Sequence, residues 1–67
     1  MESNWEEERA GFIAGEIGEA VIGLVLADEV INRDNIVQYL EGKRKSVGNV
    51  VHKGVLRDAA QSVKDGR

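Results

Sequence analysis

Glu16 and Glu19 stand three residues apart, a spacing that puts two carboxylates on one helical face, where they can share a proton or hold a cation. Nothing in the sequence converges on them, and exposed acids at this spacing are routine. His52, the single histidine, has the chemistry of a general base or a pH switch. It has no acid or nucleophile beside it in the sequence and reads as a surface or helix-edge residue. Glu6, Glu7, Glu8, Asp28, Glu29 and Asp34 lack calcium-loop spacing, and Ser3, Ser46 and Ser62 sit in no nucleophile motif. Without cysteine there is no disulfide, no thiolate zinc site and no thiol nucleophile. The side chains able to do chemistry predict a protein that is not an enzyme, with no metal and no cofactor.

The elements that carry these residues are dominated by one stretch, "RAGFIAGEIGEAVIGLVLADE", which sets four glycines into an apolar run. Glu16 and Glu19 interrupt the run, so it fails as a bilayer span, which wants about 20 mostly apolar residues. Gly11, Gly15 and Gly18 match neither the dinucleotide-binding nor the P-loop spacing, and no Gly-Lys-Ser/Thr follows. A helix fits. Ile13, Ile17, Val21 and Leu24 repeat at four, four and three residues, widened by Ala10, Ala14, Ala20 and Val25. Phe12, Ile22 and Leu26 carry hydrophobicity round the remaining surface, while the glycines form a strip poor in side chains. Each interior glycine costs about 1 kcal/mol relative to alanine, a cost that close approach by another helix offsets.

The whole chain, residues 1–67, reads as a single all-α domain with helices over about 6–27, 33–43 and 50–64. Asn32 is the expected N-cap of the second helix, with Asp34 in its first turn, and Ile36, Val37 and Leu40 on its buried face. Asn49 is the expected N-cap of the third, whose apolar positions are Val51, Val55, Leu56, Ala59, Ala60 and Val63. The tail Lys64-Asp65-Gly66-Arg67 is expected to fray.

Sixty-seven residues make a small core, and such domains are often marginal alone. An apolar first helix with a glycine strip on a protomer short of core predicts a homodimer, with Ile13, Gly15, Ile17, Gly18, Val21 and Leu24 at its interface. Charge adds a second surface. Residues 1–34 hold nine acids and two bases, residues 35–67 three acids and seven bases, within a net charge of −3. Lys43, Arg44, Lys45 and Arg57, with Lys53 beside them, are the expected contact for an acidic partner protein or for nucleic acid bound without sequence preference. The cations near the end of the second helix also have a structural reason to be there, because a helix C-terminus favours positive charge. The opening residues "MESNWEEER" lack a basic n-region, so the expected compartment is the cytosol.

Residues 18 onward, "GEAVIGLVLADEVINRDNIVQYLE", resemble the small enterobacterial regulators of biofilm formation and acid resistance, also described as two-component-system connector proteins. The resemblance rests on an acidic lead-in, Gly18, Ala20-Val21, Leu24, Leu26, Asn32, Asn35-Ile36 and Leu40, and continues into Val55, Arg57 and Val63, about 45 residues in all. It implies a three-helix protomer paired as a helical homodimer. It also implies a non-catalytic regulator acting on a phosphorelay response regulator that governs biofilm, capsule and acid-resistance genes, with DNA association as the alternative. This chain departs from the pattern in a shorter N-terminus and a first helix richer in glycine, which leaves the partner open.

Overall fold

Asn32 and Asn49 divide the chain. In the computed structural model, which describes residues 2–66 and the side chains of 7–66, both asparagines are extended and cap helices. Asn32 Oδ1 accepts from the Asn35 amide at 2.8 Å, and Asn49 Oδ1 accepts from the His52 amide at 3.0 Å. Each satisfies an amide that the first helical turn leaves without an intrahelical partner. The elements are α1 (Glu2–Leu26), α2 (Arg33–Ser46) and α3 (Val50–Asp65), packed as an all-α three-helix bundle in which every pair of helices touches.

Two helices run longer than their sequence patterns suggest. The second passes through Gly42 and the three cations to Ser46. There the Lys43 carbonyl accepts from both the Ser46 hydroxyl (2.9 Å) and the Val47 amide (3.1 Å). The first begins at Glu2; half of residues 2–9, ahead of the apolar run, are glutamate, a good helix former. At its far end Glu29 donates to the Leu24 carbonyl and Asp28 to that of Val25, a Schellman arrangement that places Asp28 in the left-handed region at φ 57°. At the C-terminus Lys64 and Asp65 belong to α3. Gly66, left-handed at φ 72°, returns its amide to Ser62 and Val63 and closes α3; Arg67 lies outside the described residues.

The core is small and built from all three helices: Ala20 from α1, Leu40 from α2, and Leu56, Ala59 and Ala60 from α3. The alanines let the backbones approach, and Leu40 and Leu56, fully buried, contribute about 2 kcal/mol or more each. Ile13, Ile17, Ile36, Val37, Tyr39, Val47 and Val63 close around them. At 1.5 Å per residue, α1 spans roughly 37 Å, which accounts for the 42 Å long axis of the bundle.

Candidate interaction surfaces

Glu16, on the flank of α1 that meets the other two helices, joins all three. Its Oε1 accepts from Lys43 Nζ of α2 at 2.8 Å, and its Oε2 lies 2.9 Å from His52 Nε2 of α3. A carboxylate accepts, so Nε2 carries the proton there. Lys43 also reaches Glu19 Oε1 at 2.6 Å. The Glu16 side chain is only 17% exposed. Burial acts to raise its carboxyl pKa, but hydrogen bonds from Lys43 and His52 outweigh that and hold it below the ordinary carboxylate value. Hydrogen bonds to Glu16 and Glu19 push the Lys43 ammonium up. The pairing of Glu16 with Glu19, visible in sequence, thus brackets a lysine; the contribution of His52 was not legible, because it depends on how α3 docks.

The six residues that the sequence assigns to one interface divide between two surfaces. Ile13 and Ile17 pack on the protomer's own core, Leu24 is 4% exposed, and Val21 is half-buried. Gly15 and Gly18 lie on the exposed side, in line with Gly11 and Ile22. A β-carbon at 11, 15 or 18 would meet nothing within 4 Å. Beyond the glycines, Ile22, Val25 and Leu26 are 60%, 57% and 82% exposed, and Val30 and Ile31 extend the apolar surface into the loop before α2. The stripe facing the core and the glycine strip are opposite faces of α1, a distinction that needs the position of the bundle and not the period alone.

The basic residues divide as well. Lys43 is turned into the carboxylate pair. Lys45 is exposed. Arg44 and Arg57 line a surface groove of about 480 Å³ with Arg9, Lys53, Val50, Val51 and Gly54. Asp58 pairs with Arg9 and lies 3.4 Å from Arg57 Nε. Glu41 Oε1 lies 2.8 Å from Arg44 Nη2, while Arg44 Nε has no hydrogen-bond partner among the described residues. Sequence reasoning missed Arg9, which belongs to the acidic half of the chain and reaches this side only because α1 packs against α3.

No family model matches the chain, and neither the curated proteins nor the solved structures give a match. Among the described residues no helix is long and apolar enough to cross a membrane.

Proposed function

We propose that this chain is a non-enzymatic regulatory protein of the cytosol that acts by protein–protein contact. In this reading it is a homodimer joined through the outward face of α1, with a second, basic surface for a partner. The observation that carries the reading is the apolar side of α1 turned away from the core: Ile22, Val25 and Leu26, all more than half exposed, in line with three glycines that leave room for a second backbone. Apolar surface of this kind on a small protomer marks an interaction site. A stable interface buries about 800 Å² per partner, roughly a sixth of the protomer's 4776 Å². A twofold pairing of α1 with its copy uses one patch twice and gives the glycine strip its use.

The resemblance of residues 18–40 to connector proteins supports a phosphorelay response regulator as the partner. Arg44, Lys45 and Arg57 suit its acidic surface, whereas Lys43 is held by Glu16 and Glu19. Titration of isotope-labelled protein with a response-regulator receiver domain, followed by backbone amide shifts, tests this. Saturable shifts around Arg44, Lys45 and Arg57 are expected. Shifts with random duplex DNA alone, fading as salt rises, would replace this reading with non-specific DNA binding.

A further inference from the structure

Gly54 sits on α3 at a position where an added β-carbon meets nothing within 4 Å. The missing side chain leaves a dip on the surface of the helix. Val50 and Val51, 81% and 70% exposed, lie beside it, with Lys53 and Arg57 from the same helix. Arg9 from α1 and Arg44 from α2 complete the rim. Four cations and two exposed valines therefore line one groove, the cations opposed by the carboxylates of Asp58 and Glu41. Lys53 has no ion-pair partner among the described residues. Arg44, with five N–H donors, makes one ion-pair contact through Nη2.

We infer that this groove is a docking site for an acidic amphipathic protein segment, with an apolar side chain seated over Gly54 between Val50 and Val51 and its carboxylates on Arg9, Arg44, Lys53 and Arg57. The inference rests on the proposed basic partner surface, whose Arg44 and Arg57 line this groove, and is independent of the outward face of α1. Its charge selects acidic ligands and its exposed valines select apolar ones, a combination that an acidic amphipathic segment satisfies. Phosphate backbone satisfies only the first, because it offers no apolar group to Val50 and Val51.

The test uses the full chain and a labelled helical peptide of about 15 residues with leucines on one face and glutamates beside them, read by fluorescence anisotropy. Two controls accompany it: the same peptide with serine for leucine, and random duplex DNA. The site predicts saturable binding of the leucine peptide and a loss on the order of tenfold with the serine peptide. Gly54→Leu, which fills the dip on a helix that has room for it, is expected to cost a similar factor, as is Arg57→Gln. Unchanged affinity in Gly54→Leu, equal binding of the serine peptide, tighter binding of DNA, or no peptide binding at all would each overturn the inference. Sedimentation of the same samples separates the two readings. A dimer that ignores the peptide refutes the groove alone, and a monomer that binds it refutes the α1 interface alone.

Discussion

A β-carbon added at Gly23 would stand 2.5 Å from Cε2 of Tyr39, because the tyrosine ring lies directly against the backbone of α1 at that point. Four glycines interrupt α1, and this one alone has a neighbour so close. Gly23→Ala gains roughly 1 kcal/mol of helix propensity and loses about 1–3 kcal/mol to overpacking, so it is expected to destabilise the fold by about 1 kcal/mol in urea. The loss should shrink when Tyr39 is also replaced by leucine. An additive double mutant would show that the ring is not what opposes the methyl group.

The outward glycines behave oppositely. Alanine at Gly15 or Gly18 meets empty space within the protomer and is expected to stabilise the isolated fold by up to about 1 kcal/mol each. In a dimer joined through this face the same methyl groups stand between two backbones. The gain should therefore diminish as protein concentration rises, since the dimer's share of the stability is set by mass action. A gain independent of concentration would count against the interface.

The bundle's polar hub sets a pH dependence. The Glu16 carboxyl is held below its ordinary value in the folded state, so its contribution is present above the unfolded carboxylate pKa of about 4.3. It is lost as pH falls through the folded value. Lys43 is raised from 10.5, so its contribution is complete below that value and fades as pH climbs through the folded one. Glu16→Gln is expected to flatten the acid limb of stability below about pH 5, and Lys43→Met both limbs. An acid limb unchanged in Glu16→Gln would assign the acid sensitivity to other carboxylates.

Asp28 occupies the left-handed position that closes α1, where glycine is usual. Asp28→Gly removes the side-chain penalty at φ 57° and is expected to raise stability by about 0.5–1 kcal/mol. Asp28→Val, with a branched β-carbon, should lower it. Thermal melts of the two variants check the pair, and an equal shift for both would contradict the strained conformation.

The sequence carried the secondary structure well. Asn32 and Asn49 cap the helices they precede, and the spacing of Leu40, Val55, Leu56, Ala59 and Ala60 marks buried faces, because caps and periodicity are local properties. Surfaces were less legible. Ile13, Ile17 and Leu24 share a periodic stripe with their neighbours whether that stripe meets α2 and α3 or another molecule, and only the docking of the bundle separates core from outward face. The same reason hid the bond from His52 to Glu16, 36 residues away, and the arrival of Arg9 beside Arg57. Lys43 reads as a free cation in a run of three, yet the turn of α2 carries it into the carboxylates while leaving Lys45 in solvent. Gly54 gives no signal at all in sequence; its meaning comes from what stands round it.

Sedimentation equilibrium across micromolar concentrations, on the wild type beside Gly15→Leu, decides whether the chain pairs through α1. Pairing through the outward face of α1 predicts a wild type at twice the protomer's 7.3 kDa and a folded, helical Gly15→Leu variant that sediments as a protomer. A wild type that stays at 7.3 kDa throughout, or a Gly15→Leu variant that pairs as tightly as the wild type, would contradict it.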